Sequence, residues 1–175
     1  MVNHNVNHKT IELINSLKDK EKIKILFVCL GNICRSVTAE EIFRTLASRA
    51  GRTSAFFVDS AGLIDYHEGE LADKRMRSHA GAHGYHLTHR SRPVKTDDFK
   101  RFDLVVAMDE DNVRRLRRLA PDEEAAGKIV RMADYLSRHE GFSAVPDPYY
   151  GKAEDFELVI ELLEDACAGL LSVLK

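Results

Sequence analysis

The most constraining feature of this sequence is an apolar run that leads directly into a tight loop and then a helix. Residues 23–28 (Ile-Lys-Ile-Leu-Phe-Val) are β-branched, aliphatic or aromatic apart from one lysine, which is typical of a buried strand. The run stops at Cys29, and apolar residues with helical spacing begin after Arg35. This order places the loop at the carboxyl end of a strand, where α/β sheets bind their ligands.

The same alternation continues to the end of the chain. Strands are predicted near residues 56–60, 104–108 and 128–132, and helices near residues 37–47, 70–83, 109–119 and 154–174. Strands that are separated by helical crossovers form a parallel sheet with helices on both faces. A length of 175 residues fits one domain better than two. We therefore expect a single α/β domain at residues 23–175.

The first 22 residues have a different character. Residues 1–9 are polar and repeat Val-Asn-His, which is typical of a mobile tail. Ile11, Ile14 and Leu17 then have the spacing of a short amphipathic helix. We expect residues 1–22 to be an N-terminal extension, a tail followed by a short helix that packs on the outside of the domain.

Composition argues against several classes of protein. Lys plus Arg number 26 and Asp plus Glu 28, so the chain has no general attraction for nucleic acid or anionic lipid. The first twenty residues lack the apolar run of a signal peptide, and no stretch of about 18 apolar residues occurs. Three cysteines are too few for a disulfide framework. These features predict a cytoplasmic protein without nucleic-acid or membrane partners, and they leave its oligomeric state open.

The loop at residues 29–36, Cys-Leu-Gly-Asn-Ile-Cys-Arg-Ser, suits a phosphate-sized anion. Gly31 and Asn32 tolerate left-handed backbone, so the loop can curl with its N–H groups inward, and the following helix adds further free N–H groups. Arg35 can donate two parallel hydrogen bonds to a pair of phosphate oxygens. The predicted phosphate-binding residues are Leu30, Gly31, Asn32, Ile33, Cys34, Arg35 and Ser36.

Cys29 is the candidate nucleophile at the floor of this loop. The loop amides and Arg35 favour its thiolate over its thiol, and Ser36 can donate a hydrogen bond to the sulfur. The spacing Cys-x5-Arg alone is weak, because roughly one such chain in four contains it by chance. The alternative is a buried structural cysteine beside a serine that caps the helix.

Asp147 is the candidate acid. It lies between Pro146 and Pro148, in a rigid, non-helical segment just before the last helix. An acid on such a loop can donate a proton to a leaving oxygen and later accept one from water. From the residues alone a simple Asp-Pro turn remains possible, and Tyr149 and Tyr150 could either flank the pocket or pack in the turn.

Four segments together resemble the low molecular weight protein tyrosine phosphatases. They are residues 29–36, residues 59–62 (Asp-Ser-Ala-Gly), residues 102–109 with Asn112, and residues 147–150 (Asp-Pro-Tyr-Tyr). The resemblance extends from about Ile23 to the C-terminus. It implies a hydrolysis of phosphomonoesters without metal or cofactor, with phosphotyrosine in proteins as the substrate class, through a phosphocysteine. It further implies that Cys29 is the nucleophile, Arg35 the phosphate clamp, and Asp147 the acid and then the base.

The resemblance also implies supporting roles for several other residues. Asn32, Ser36, Ser60 and His89 resemble the set that holds the loop in shape, and Tyr66, Tyr149 and Tyr150 the sides of the substrate cleft. Arginine-phosphate specificity in the family goes with a smaller polar residue at the position of Ile33, so Ile33 favours tyrosine. Cys34 is close to Cys29 in the loop and is either a resolving cysteine for oxidised Cys29 or a packing residue.

Other interpretations are less well supported. Arsenate reduction on the same fold needs further cysteines, and only Cys167 lies outside the loop. A non-catalytic phosphate-binding module would lack Cys29 or Asp147, and both are present. The arginines of residues 114–118 fit a solvated helix face. His79, His83, His86 and His89 are close in sequence but have no carboxylate or cysteine at ligand spacing, which argues against metal.

Overall fold

The structure is a computed structural model that describes residues 6–174. Four strands form one parallel sheet in the order β2-β1-β3-β4. The strands are β1 (Ile23–Cys29), β2 (Phe56–Gly62), β3 (Leu104–Ala107) and β4 (Ile129–Arg131). The predicted parallel α/β sheet is confirmed, and β1 occupies an interior position that brings Cys29 to the middle of the carboxyl edge.

Helices cover both faces of this sheet. In chain order they are α1 (His8–Leu17), α2 (Arg35–Arg49), α3 (Lys74–Ala82), α4 (Asp98–Arg101), α5 (Glu110–Leu119), α6 (Glu123–Ala126) and α7 (Ala153–Val173). Two 3₁₀ turns occur at Thr53–Ala55 and Met132–Tyr135. Within the described part of the chain, no helix combines the length and apolar character needed to cross a bilayer.

The side chains of β1 explain why its sequence is almost continuously apolar. Ile25 and Phe27 belong to the larger core cluster, which also contains residues of α2 and α7. Leu26 and Val28 point to the opposite face and belong to the cluster that contains residues of α5. All four are fully buried. Because successive strand residues face opposite sides, a strand covered on both faces must be apolar at nearly every position.

The helix predicted at residues 70–83 is shorter in the structure and begins at Lys74. Asp73 caps it, since its carboxylate accepts hydrogen bonds from the backbone N–H groups of Arg75 and Met76. The residues before Asp73 therefore form a loop. The short helices α4 and α6 were not predicted, because four residues are too few to show helical periodicity.

The N-terminal helix starts within the predicted tail. Asn7 caps α1 by accepting a hydrogen bond from the backbone N–H of Thr10, so residues 8 and 9 are helical. Ile14 and Leu17 are buried in the same core cluster as α7, and the Lys20 ammonium lies 2.6 Å from the Asp103 carboxylate. Residues 1–5 of the predicted tail lie outside the described residues.

Candidate active site

The candidate site is the loop that connects β1 to α2. Cys29 is the last residue of β1 and Arg35 the first of α2, so five residues turn the chain. Asn32 has a φ of 57°, in the left-handed region that asparagine tolerates. Gly31 does not need positive φ. Instead, a Cβ on Gly31 would lie 3.3 Å from the ring of His67, so glycine permits this close approach.

The end of β2 supports the back of the loop. The backbone N–H of Leu63 donates to the carbonyl of Leu30 at 2.8 Å, and that of Ile64 donates to the same carbonyl at 3.0 Å. Gly62 pairs in register with Cys29, and a Cβ there would meet the backbone of Leu30 and Asn32 at 3.0–3.1 Å. The sequence 59–62 therefore ends in glycine because the loop backbone lies directly against it.

The side chain of Asn32 fixes the curl of the loop through four hydrogen bonds. Its Oδ1 accepts from the backbone N–H of Arg92 at 3.1 Å, and His89 Nε2 lies 3.1 Å from the same oxygen. Its Nδ2 donates to Ser36 Oγ at 2.8 Å and to Ser60 Oγ at 3.0 Å. The Arg92 N–H can only donate, so it sets the orientation of the amide. The predicted residues Asn32, Ser36, Ser60 and His89 are thus in one buried or nearly buried network.

This network orients the hydroxyl hydrogen of Ser36 toward the sulfur of Cys29. Ser36 Oγ accepts a hydrogen bond from Asn32 and lies 3.0 Å from Cys29 Sγ, so its own hydrogen is available for the sulfur. The backbone N–H of Ser36, in the first turn of α2, also donates to Cys29 Sγ at 3.4 Å. Both donors, together with the positive end of the helix dipole, favour negative charge on that sulfur.

Arg35 is only 2% exposed and is held from two sides. Its Nη1 donates to Asp109 Oδ2 at 2.6 Å and to the carbonyl of Val145 at 3.1 Å. Its Nη2 lies 3.5 Å from Asp147 Oδ2. Burial alone would lower the pKa of Arg35, but Cys29, Asp109 and Asp147 raise it, so the guanidinium stays charged in the site.

Above the loop is an open cleft of about 410 Å³. Its lining includes Cys29, Leu30, Gly31, Ile33, Cys34, Arg35, Ile64, Tyr66, His67, Asp147, Tyr149 and Tyr150. Asp147 accepts a hydrogen bond from the backbone N–H of Tyr149 at 3.1 Å, which orients its carboxylate in the turn. Tyr66 and Tyr150 are 80% and 97% exposed, so they form the rim rather than the floor.

A second layer of charge lies behind the loop. Ser60 Oγ donates to Glu40 Oε1 at 3.0 Å, and His89 Nδ1 lies 3.3 Å from that oxygen and 3.4 Å from Asp59 Oδ1. Burial raises the pKa of Glu40 to about 7 and lowers the pKa of His89. Glu40, Asp59 and His89 could in principle hold a cation. However, Arg44 already pairs with Glu40 and Arg92 with Asp59, which compensates both carboxylates.

The fold therefore brings together all the predicted site residues. Cys29, Arg35 and Asp147 share the cleft with the three tyrosines, and Ser60 and His89 lie behind the loop. Sequence reasoning missed two contributions, which are the buried carboxylate of Glu40 and the pairing of Asp109 with Arg35. Asp109 has a local signal, since it caps α5 by accepting from the backbone N–H of Asn112. The contacts of Glu40 depend on tertiary packing and have no such signal.

Comparisons with known proteins agree with this geometry. Residues 24–175 match the family model described as low molecular weight phosphotyrosine protein phosphatase. A low molecular weight protein-tyrosine-phosphatase of Streptomyces coelicolor is 44% identical over 153 residues, covering 87% of this chain and 93% of the relative.

Solved structures show the same likeness. A protein tyrosine phosphatase from Entamoeba histolytica is 45% identical with a TM-score of 0.83, covering 86% of this chain and 95% of that chain. Wzb of Vibrio vulnificus, in complex with benzylphosphonate, is 29% identical with a TM-score of 0.71, covering 83% of this chain and 94% of that chain. Since the family model spans most of the sequence and these relatives share the fold, the chain belongs to the low molecular weight phosphotyrosine protein phosphatase family.

Proposed function

We propose that this protein is a hydrolase that removes phosphate from phosphotyrosine in proteins through a phosphocysteine formed on Cys29. The observation that carries the proposal is the shared cleft, in which the sulfur of Cys29, the guanidinium of Arg35 and the carboxylate of Asp147 all contribute to the lining. The aromatic rim and Ile33 suit the ring of a phosphotyrosine. The relative in complex with benzylphosphonate supports this substrate class, because that ligand joins an aromatic ring to a phosphonate group.

In the first step, the Cys29 thiolate attacks phosphorus and the bond between phosphorus and the tyrosine oxygen breaks. Arg35 and the loop N–H groups hold the equatorial oxygens and stabilise the charge that they carry in the transition state. Asp147 in its acid form donates a proton to the departing tyrosine oxygen. The products are a protein tyrosine and phosphocysteine. Ser36 supports this step because its hydroxyl can donate a hydrogen bond to the attacking sulfur.

In the second step, Asp147 accepts a proton from water while the water oxygen attacks phosphorus. The bond between sulfur and phosphorus breaks, inorganic phosphate forms, and Cys29 leaves as a thiolate. The same Ser36 hydrogen bond and N–H group stabilise the departing sulfur. Each group used in the first step is thereby restored.

Two features bear on substrate and location. Cys167 is fully buried in α7, with its Sγ 3.7 Å from the carbonyl of Ala39, so it is poorly placed to carry a disulfide away from Cys29. This argues against arsenate reduction. The low and odd number of cysteines, three in the whole chain, is typical of proteins that do not depend on disulfides and supports the proposed cytoplasmic location.

The experiment is hydrolysis of p-nitrophenyl phosphate and of a phosphotyrosine peptide in the presence of EDTA. We expect the natural sequence to turn over both substrates, and Cys29→Ser to lose turnover while still binding vanadate in the loop. The matched control, Cys167→Ala, changes a cysteine far from the cleft and should retain turnover. Substantial turnover by Cys29→Ser, or dependence of the natural protein on added metal, would contradict the proposed mechanism.

A further inference from the structure

The segment that carries Asp147 is held by an arginine on each of its two sides. Two residues before Asp147, the carbonyl of Val145 accepts a hydrogen bond from Arg35 Nη1 at 3.1 Å. Two residues after it, the carbonyl of Tyr149 accepts a hydrogen bond from Arg75 Nη2 at 2.9 Å. We call the stretch from Val145 to Tyr149 the acid loop. The side chain of Asp147 is 42% exposed, so contacts to the backbone on both sides, rather than burial, fix its position.

We propose that Arg75 is a positioning residue for proton transfer by Asp147, because it holds the acid loop in place relative to the phosphate loop. This inference rests on the proposed function, in which Asp147 protonates the leaving oxygen. Arg75 lies in α3 and does not line the cleft. It therefore acts on the reaction through the acid loop and not by contact with the substrate.

Asp73 connects Arg75 to the phosphate loop. The backbone N–H of Asp73 donates to the carbonyl of Ile33 at 2.9 Å. Both oxygens of its carboxylate accept from Arg75, with Nε 3.2 Å from Oδ1 and Nη2 3.0 Å from Oδ2. Two parallel hydrogen bonds fix the plane of the guanidinium, and Nη2 has a second hydrogen for the carbonyl of Tyr149. A continuous series of hydrogen bonds thus joins the phosphate loop to the acid loop.

Two aromatic rings hold the same guanidinium from other directions. Its central carbon lies 4.7 Å from the centroid of the Phe156 ring and 5.5 Å from that of Tyr149. Phe156 is buried near the start of α7, which follows the acid loop in the chain. An exposed ion pair alone contributes little to stability. Here, however, a carboxylate, a carbonyl and two rings together fix one side chain.

The position of Asp147 matters because proton transfer requires its carboxyl group to lie within hydrogen-bond reach of the leaving oxygen. A displacement of about 1 Å can cost about 100-fold in rate. Without Arg75, the acid loop keeps the contact of Arg35 on one side and loses the hydrogen bond on the other. The carboxyl group can then move away from the leaving oxygen, and a poor leaving group suffers most from the loss.

The test compares kcat/KM of the full chain for phenyl phosphate and for p-nitrophenyl phosphate. This constant reports the formation of phosphocysteine, in which Asp147 is the acid. Arg75→Met should lower kcat/KM for phenyl phosphate by about 10–100-fold and lower that for p-nitrophenyl phosphate less. The inhibition constant of inorganic phosphate should be unchanged, because the phosphate loop keeps its own contacts. The ratio of the two rates does not depend on the fraction of folded protein.

Two further variants show whether the effect passes through the acid. Lys74→Met is the matched control, because Lys74 is an exposed cation of the same helix that does not line the cleft, and its ratio should be that of the natural sequence. In an Asp147→Ala background, Arg75→Met should not change the ratio further, since the acid that it positions is absent.

Equal losses for both substrates in Arg75→Met would overturn the inference. A change of ratio that persists in the Asp147→Ala background, or that Lys74→Met reproduces, would do the same. These outcomes would leave the phosphatase assignment intact, because they are measured on a protein that turns over both substrates. Absence of turnover by the natural sequence would instead refute the proposed function, and this inference with it.

Discussion

Two substitutions of Asn32 distinguish the role of its side-chain hydrogen bonds from the role of its left-handed backbone conformation. The residue combines a left-handed backbone with a side chain that makes four hydrogen bonds. Asn32→Ala removes the hydrogen bonds and adds backbone strain. Asn32→Gly removes the same hydrogen bonds but fits the φ of 57° without strain. Both variants should lose activity, whereas their stabilities should differ.

The expected magnitudes follow from these contacts. The group most clearly left without a partner is the backbone N–H of Arg92, at a cost of about 1–3 kcal/mol for a buried donor. Alanine in the left-handed region adds about 1–2 kcal/mol. Asn32→Ala should therefore lower the free energy of unfolding by about 2–5 kcal/mol. Asn32→Gly avoids the strain but gains freedom in the unfolded chain at a cost of about 0.5–1 kcal/mol, so it should be more stable than Asn32→Ala by up to about 1.5 kcal/mol.

Urea unfolding gives the stabilities, and kcat/KM for p-nitrophenyl phosphate gives the activity. Asn15→Ala is the control, because Asn15 is an exposed residue of α1, and it should change the free energy of unfolding by no more than about 0.5 kcal/mol. If Asn32→Ala is more stable than Asn32→Gly, the argument from backbone strain is wrong. If either variant retains the natural kcat/KM, the hydrogen bonds of Asn32 do not organise the loop.

Three other changes test separate parts of the molecule. Asp147→Ala should reduce kcat for phenyl phosphate more than for p-nitrophenyl phosphate, because the poorer leaving group needs the proton more; equal losses would indicate a structural aspartate. Hydrogen peroxide should oxidise Cys29 to a sulfenic acid, which the Cys34 thiol converts to a disulfide with release of water, so Cys34→Ser should recover less activity in dithiothreitol. Recovery equal to that of the natural protein would exclude this protection. The hydrogen bond to Asp165 raises the pKa of His139 in the folded protein. Protonated His139 therefore stabilises the folded state fully below about pH 6.5, and this contribution is lost as the pH rises through the folded-state pKa. The urea midpoint of unfolding should fall as the pH rises above about 6.5. If a His139→Gln variant shows the same fall, the pH dependence does not come from His139.

Much of the fold follows from local patterns. The run at 23–28 and the helix after Arg35 have strong periodicity, and the structure has β1 and α2 there. The start of α3 was predicted too early, because a weak apolar pattern extends to about residue 70. In the structure the side chain of Asp73 caps the helix, and α3 begins at Lys74. Short helices such as α4 contain only about one helical turn, which is too short for hydrophobic periodicity to be recognised, and tertiary contacts stabilise them.

In the candidate site too, some residues can be predicted from the sequence and others cannot. The residues of the loop are contiguous, so their chemistry can be interpreted from the sequence. Glu40 is different, because it lies on α2 in a helical pattern where a glutamate normally indicates a solvated face. Only the packing of α2 on β2 shows that this carboxylate is buried and accepts a hydrogen bond from Ser60. Similarly, the contact between His67 and Gly31 depends on the path of a long loop.

The two exposed tyrosines at the rim have a calorimetric consequence. Tyr66 and Tyr150 present aromatic surface to water beside a charged phosphate loop. When an aryl phosphate binds, its ring covers part of that surface, and removal of apolar surface from water gives binding a negative heat capacity change. Inorganic phosphate occupies only the loop and covers none of it. The affinity of the protein for a phosphotyrosine peptide and its affinity for phosphate should therefore respond differently to temperature, with the enthalpy of peptide binding becoming more favourable on warming.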